Sequence, residues 1–584
     1  LIEDVHEPLE LYRTVFKEAH SRNTSELFEE LLRQSGVDER KNAATVMELR
    51  ALERHVARES SSNKWWRFLR VVVIVALIIS LIFVYVNYSW FWLILPAGLF
   101  SFAIYKLNHL ITNVSSRLKD VEQQRDSKLR EAWQQMAPLN QLYDWDILAK
   151  LLVKTVPRLA LDPYFSNARL DELRNNFGLN DQFNKERSIV FVHSGVINGN
   201  PFLLAQTLDH WMGTKTYHGS LEISWVEERR NSDGKWETVT HHQTLHASIE
   251  KPFPEYGYRT FIIYGNEAAP DLSFSRQPSD LSKLEDGFIN NWKKQSAIKK
   301  LEKKARNIGE GNNFTVMANR EFDVLFGATD RDHEVQFRLL FTPLAQQEMV
   351  KLLKDKEVGF GDDFKFIKKR MINLVEPGHM RATEIDAAPE KFHSYELAFA
   401  RKFFNDYHNN LFKSVYFGIA PLLSIPLYQQ HRTHADIYKN VYSSQSCFWE
   451  HETIAYHFGE KTFEHPECVT RSLLKTQSKT EADKAQTVRV TAHGYKGTDR
   501  TEYVSVYGGD GHNHDVSVDW VEYIGVKNDS HMVVCEKTNL RGDVNASQSG
   551  TDDTSWQKIF KKRNVELNDV ILRRSVAAAL LPKN

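Results

Sequence analysis

The densest run of chemically competent side chains lies between His431 and Cys468, where His434, Cys447, Glu450, His451, Glu452, His457, Glu460, Glu464, His465 and Glu467 also fall. Imidazole, thiolate and carboxylate together are the donors that zinc and other transition metals take, so His451, His457, His465 and Cys468 form the candidate metal set. The spacing argues against them. His451-Glu452 and His457 do not make the His-Glu-X-X-His pattern that sets two imidazoles one turn apart, and no Cys-X-X-Cys pair exists. On a helix from Ser443 to Phe458, His451 would face away from His457. The expectation is therefore histidines that hydrogen-bond structural carboxylates or backbone, with no cofactor.

Three other stretches carry polar chemistry. Tyr507-Gly508-Gly509-Asp510-Gly511-His512-Asn513-His514-Asp515 lies between alternating segments, so its glycines predict a tight hairpin turn needing positive φ. A nucleotide loop would need a strand-to-helix context and a Gly-X-X-X-X-Gly-Lys or Gly-X-Gly-X-X-Gly pattern, and neither is present. His241, His242 and His246 fall on a predicted strand, where solvated histidines are the plain reading. Lys293, Lys294, Lys299, Lys300, Lys303 and Lys304 stud a predicted helix from Asp280 to Arg306. They form a candidate strip for lipid or phosphate, set against the plainer solvated face.

The element that must position all of this is the apolar stretch from Phe68 to Tyr105. It is nearly twice the ~20 residues that one membrane helix needs, and Asn87-Tyr88-Ser89 divides it. Two helices over 66–107 follow, with Pro96 and Gly98 in the second. Lys64, Arg67 and Arg70 precede the hairpin and Lys106, Arg117 and Lys119 follow it, which places both flanks in the cytoplasm. Trp65, Trp66, Trp90 and Trp92 stand where interface anchors belong, so the expected membrane anchor comprises these four with Arg67, Arg70 and Lys106. Some sixty polar residues precede the first apolar segment, which does not suit a cleaved signal peptide.

The remainder reads as an α+β membrane protein: N-terminal helices, a two-helix transmembrane hairpin, and a large cytosolic region with antiparallel sheets. Cytosolic helices are expected over 1–62, where Leu27, Phe28, Leu31 and Leu32 make one apolar stripe that needs a partner. Ser60-Ser61-Ser62-Asn63 reads as a linker, and 112–180 as a stalk with linking helices. An α+β domain is expected over 188–380, with a hairpin around the turn Asn231-Ser232-Asp233-Gly234 and a separate strand from Arg259 to Tyr264. A second α+β region spans 390–545 and C-terminal helices 552–584. The run Val415–Leu427, broken by Pro421 and Pro426, reads as a buried or membrane-surface segment, with a third span as the alternative. Three cysteines and a net charge of −1 fit a reducing compartment and give no bulk attraction to nucleic acid.

Arg320-Glu321-Phe322-Asp323-Val324, Ala328-Thr329-Asp330, Glu334 through Leu340 and Thr342-Pro343 together resemble the core pattern of a domain-of-unknown-function family of bacterial membrane proteins. That resemblance implies two N-terminal membrane helices, a cytosolic α+β region, a bacterial plasma membrane, and self-assembly or partnership with another small membrane-anchored protein. It supplies no catalytic residues. The expected function is a membrane-anchored, non-enzymatic assembly or scaffold protein. It would be multi-pass with both termini cytoplasmic, and its partners the lipid bilayer and itself as a homo-oligomer; nucleic acid is not expected. The alternatives are a metal-dependent hydrolase using the His451, His457 and His465 region, and a surface module binding acidic lipid or nucleic acid through the lysine-rich helix.

Overall fold

The computed structural model describes residues 6–86, 94–156, 158–180, 186–230, 232, 235–282, 295–303, 315–429, 445–481, 485–537 and 555–582, with backbone alone for 80–86, 94–99, 555 and 568. The chain divides into two compact units. One comprises Ser21–Ile147 and Ala387–Asn410; the other comprises Leu1–His20, Leu148–Asp386 and Leu411–Asn584.

The first unit is helical. Helix α1 (Lys17–Ser35) is followed by α2 (Glu39–Val86) and α3 (Ile94–Asn140). At 1.5 Å per residue, α2 with its 48 residues is about 72 Å long. Its antiparallel register with α3 is set by polar pairs. Arg70 donates to Asn108 (3.2 Å), Ser115 to Asn63 (3.4 Å) and Gln135 to Thr45 (2.9 Å), and Lys128 pairs with Glu48 (2.8 Å). The N-terminal stripe finds its partner in residues 387–410. Phe28 packs on Phe404 at 5.4 Å, and Arg401 bonds both Glu29 and Glu39 at 2.9 Å. Ser60–Asn63, expected as a linker, instead lies within unbroken helix, because packing of α2 on α3 outweighs the weak helix preference of serine. Among the described residues no helix is long and apolar enough to cross a membrane; the side chains of 80–99, the centre of the apolar stretch, lie outside those residues.

The second unit is built on two antiparallel sheets. β1 (Leu159–Leu161), β2 (Arg187–Ile197), β3 (Asn200–Arg230), β4 (Trp236–Gly265), β5 (Ser273–Arg276), β6 (Phe364–Lys369) and β7 (Ile372–Pro377) form a seven-stranded sheet in the order β1-β2-β3-β4-β7-β6-β5. β8 (Leu473–Thr480), β9 (Gln486–Tyr507), β10 (Asn513–Glu536), β11 (Ile571–Arg573) and β12 (Val576–Leu580) form a five-stranded sheet in the order β11-β12-β10-β9-β8. A short helix, α4 (Phe448–Phe458), packs on β2 of one sheet and β8 and β9 of the other.

The hairpins are far longer than their local sequence suggests. β3 pairs with β4 from Phe202↔Tyr264 out to Arg230↔Trp236, so the segment Arg259–Tyr264 is the base of the return strand and not a separate one. At about 3.3 Å per residue the 31-residue β3 runs about 100 Å. Its distal half alternates half-buried and exposed, and the covered residues Tyr217, Leu221 and Ile223 meet Val504, Val506, Val516 and Val518 of the β9–β10 hairpin. Period-two alternation therefore serves hairpin-on-hairpin packing and not a closed core. Pro252 and Pro254 sit within β4 opposite Thr214 and Met212, where a missing N–H is tolerated on a strand with an open outer edge.

The glycine turn works as expected and also as a clamp. Gly511 has φ +82° between β9 and β10, and the Gly509 N–H donates to Gln243 Oε1 of β4 at 2.7 Å. A Cβ at Gly509 would meet the Trp225 indole at 2.8 Å, so the turn is seated against the first hairpin.

At the C-terminal end the run expected to be buried is buried, and the expected helical tail changes. Leu411–Leu423 is the buried half of a helix that begins at Leu397, and Tyr416 donates to the Pro8 carbonyl at 2.7 Å. Among the described residues of the tail, Ser555–Lys562 is α-helix and Leu567–Asp569 a 3-10 turn; Ile571 to Leu580 form β11 and β12, with β12 paired to both β10 and β11, instead of the expected helix.

Candidate functional site

Helix α4 carries three consecutive polar residues that are all buried, Glu450, His451 and Glu452. Successive helical positions point about 100° apart, and each residue here holds a different element. Glu450 Oε2 accepts the Phe165 N–H at 2.9 Å. Glu452 Oε2 accepts the Ile189 N–H of β2 at 2.8 Å, with Lys475 of β8 3.5 Å from its other oxygen. His451 Nε2 lies 3.1 Å from Ser446 Oγ and 3.2 Å from Gln486 Oε1 of β9. Burial pushes this imidazole down to about 4, so it is neutral at pH 7.

Beside the helix lies a five-member ionic hub. Arg573 of β11 is fully enclosed; its Nε and Nη2 donate to Asp386 at 2.9 and 2.8 Å, its Nη1 to Glu450, and its Nη2 also to the Val192 carbonyl at 3.0 Å. Asp386 is at the same time 3.1 Å from His193 Nε2 and 2.9 Å from His457 Nε2. The hub thus joins β2, the segment before Ala387, α4 and the edge strand of the second sheet. Burial alone would raise the Asp386 carboxyl, but Arg573 and His193 hold it well below the usual carboxylate range. Burial opposes the Arg573 charge, yet Asp386 and Glu450 keep its pKa above ordinary. Burial also depresses His193, with Arg573 and Arg574 adding to the effect against Asp386.

Similar buried pairs recur: Arg169 with Asp162 (2.9 Å), Arg276 with Asp362 (2.6 Å) and Arg331 with Asp323 (2.8 Å). In each, a planar guanidinium fork meets a carboxylate and main-chain or neighbouring acceptors, which is how a buried charge is tolerated. Arg331 and Asp323 lie beside an aromatic core of Phe274, Phe322, Phe326, Phe337 and Phe341, with the Arg331 guanidinium 4.1 Å over the Phe337 ring.

The candidate metal ligands do not converge. His451 faces Ser446 and Gln486, and His457 faces Asp386. His465 Nδ1 accepts from the Glu467 N–H at 3.2 Å, and Cys468 Sγ donates to the Thr470 carbonyl at 3.3 Å. Among the described residues no group of three or more His, Cys, Asp or Glu side chains is arranged to hold a metal. His431 and His434 lie outside the described residues, as do Lys293, Lys294, Lys304, Trp90 and Trp92. Lys299, Lys300 and Lys303 are exposed on a helical segment, 295–303. Of the strand histidines, His241 bonds Glu227 at 3.1 Å and stacks on Trp225. All three cysteines are free thiols, and burial pushes the Cys447 pKa up. A groove of about 790 Å³ runs along α2 beside Glu396, lined by Glu39, Arg50, Glu53 and Arg54, with Arg50 already bonded to Glu396 at 2.7 Å.

The second candidate surface is on the helical pair. Phe68, Val71, Val72, Val75, Ile78 and Ile79 of α2 and Phe102 and Tyr105 of α3 are all exposed. Trp65 is exposed too and meets Trp66 edge-on at 4.9 Å. Contiguous exposed apolar side chains on this scale mark a surface that something else covers. No protein-family model, curated protein or solved structure matches the chain.

Proposed function

We propose that this chain is a membrane-anchored, non-enzymatic assembly or scaffold protein. Its α2–α3 hairpin inserts in a bacterial plasma membrane from the cytoplasmic side, and its paired β-hairpins contact other copies. The observation that carries the anchor is the exposed apolar face from Phe68 to Ile79, which in water would cost about 25 cal/mol per Å² of apolar surface left uncovered. The sequence continues this face through Leu81-Ile82-Phe83-Val84.

Assembly is supported by the long paired hairpins. The β3–β4 ribbon runs on past the point where the β9–β10 turn meets Trp225 and Gln243, and it exposes Val226 and Trp236 beyond it. Aromatic and apolar groups on a rigid projecting ribbon are suited to a protein interface. The buried ionisable groups support the same reading, since their charges bond one element to another.

Alkaline carbonate extraction of membranes carrying the full chain tests the anchor. Retention in the pellet is the expected result, and release into the supernatant refutes it.

A further inference from the structure

From Ser60 to Lys119 the chain holds Lys64, Arg67, Arg70, Lys106, Arg117 and Lys119 but neither Asp nor Glu. The antiparallel register, with Arg70 bonded to Asn108 and Ser115 to Asn63, brings these six cations into one zone of about 20 Å along the helical pair. Lys64 to Arg70 covers about 9 Å of helix rise. Lys64, Arg67, Lys106, Arg117 and Lys119 are exposed and Arg70 is half-buried.

The contrast with the same helices further from the apolar face is sharp. There Lys128 pairs with Glu48 and Glu131, Arg125 with Asp126, and Arg50 with Glu396. In the belt, no cation has a carboxylate partner among the described residues. Arg70 spends one bond on a neutral amide, and Lys106 rests 5.7 Å over the Phe102 ring. Unmatched like charges on adjoining helices repel one another, and the natural relief is an external anion.

We infer that this belt binds anionic phospholipid headgroups and gives the protein a preference for acidic lipid at its membrane boundary. The inference rests on the membrane-anchor reading above. The occupant is a lipid and not a free phosphate because the belt adjoins Phe68, Val71 and Val75, exposed apolar residues that acyl chains would cover. Trp65 and Trp66 lie within it, at the level where indoles favour the interface. The lysine and arginine stems can follow the apolar surface while their charged ends reach the phosphate layer.

The test reconstitutes the full chain in mixed vesicles and measures quenching of tryptophan fluorescence by brominated phosphatidylglycerol against brominated phosphatidylcholine at equal mole fraction. The expected preference for the anionic lipid is on the order of 5-fold or more, since each juxtamembrane cation contributes roughly that factor. It should weaken as salt rises from about 0.05 to about 0.5 M. The triple variant Lys64→Gln, Arg67→Gln, Lys106→Gln should lower the preference by about 5-fold or more, and Lys64→Arg, Arg67→Lys, Lys106→Arg should keep it. Protein that survives a carbonate wash of the vesicles yet shows no preference overturns the belt and leaves the anchor standing. Protein removed by the wash overturns both.

Discussion

Replacing Arg573 with methionine should open the edge of the second sheet. The variant keeps a long apolar stem but removes the one guanidinium that bonds Asp386 twice, Glu450 and the Val192 carbonyl. Asp386 and Glu450 would stay buried at 6 % and 1 % side-chain exposure with their strongest counter-charge gone. Removing one partner of a buried ion pair costs about 3–5 kcal/mol, a large part of the ~5–15 kcal/mol that usually separates folded from unfolded chains. Native-state hydrogen exchange reads this locally. Protection of β11 and β12 amides, and of the Phe165 and Ile189 amides held through Glu450 and Glu452, should fall by a factor of about 100 or more. The loss should be smaller near pH 5 than at pH 8. Without Arg573 the depressed His193 becomes more basic, so the native variant binds more protons than native wild type and the gap between them narrows as pH falls. Arg573→Lys keeps charge without the fork and should fall between the two. Unchanged exchange in the methionine variant, at both pH values, would refute the hub as the fastening of that edge.

Other outcomes follow from the same geometry. In the wild type, His193 is depressed from 6.5 and Asp386 from 3.8, so both contribute stability that is lost on acidification, His193 as pH falls below about 6.5 and Asp386 below about 3.8; the urea midpoint followed from pH 8 to pH 3 should fall in those two windows. Lys368 is buried against the Ala268 and Arg370 carbonyls and its pKa is pushed down to about 7. Stability should therefore rise between pH 7 and pH 10 by up to about 1.4 kcal/mol per unit, and Lys368→Met should flatten that slope even if it lowers stability overall. A Cβ at Gly219 would collide with the Ser517 carbonyl. Gly219→Val should cost about 1–3 kcal/mol and expose Val516 and Val518, seen as faster exchange of the neighbouring amides, while leaving α2 and α3 untouched. Ile78→Asp on the exposed apolar face should make insertion less favourable by about 3 kcal/mol and raise the alkali-extractable fraction.

The features legible in the sequence are those with a local period. Ser220 to Val226 alternates, and it became the distal half of β3 with its apolar residues on the second hairpin. Leu27, Phe28 and Leu31 recur at helical spacing, and Phe28 and Leu31 are buried. The glycine turn announced itself through residue types that accept positive φ. What could not be read joins distant positions. Arg573 and Val192 lie 381 residues apart, and no window of sequence holds both. The tail shows propensity overruled: Ala577, Ala578 and Ala579 favour helix in isolation, but pairing with Cys535, Val534 and Val533 of β10 makes them a strand. Ser60–Asn63 shows the opposite case, polar residues that look like a break but are carried in helix by their neighbours. In the histidine-rich stretch, His457 bonds a carboxylate and His451 a hydroxyl and an amide. Asp386, the partner of His457, carried no signal of its own.

Assembly on a membrane is most directly tested by the native mass of the full chain, extracted in mild detergent or in lipid nanodiscs and measured across a range of concentrations. A discrete homo-oligomer, dissociated or reduced by Val226→Arg with Trp236→Arg at the ribbon tip, is the expected result. A clean monomer of 67.8 kDa at every concentration contradicts it.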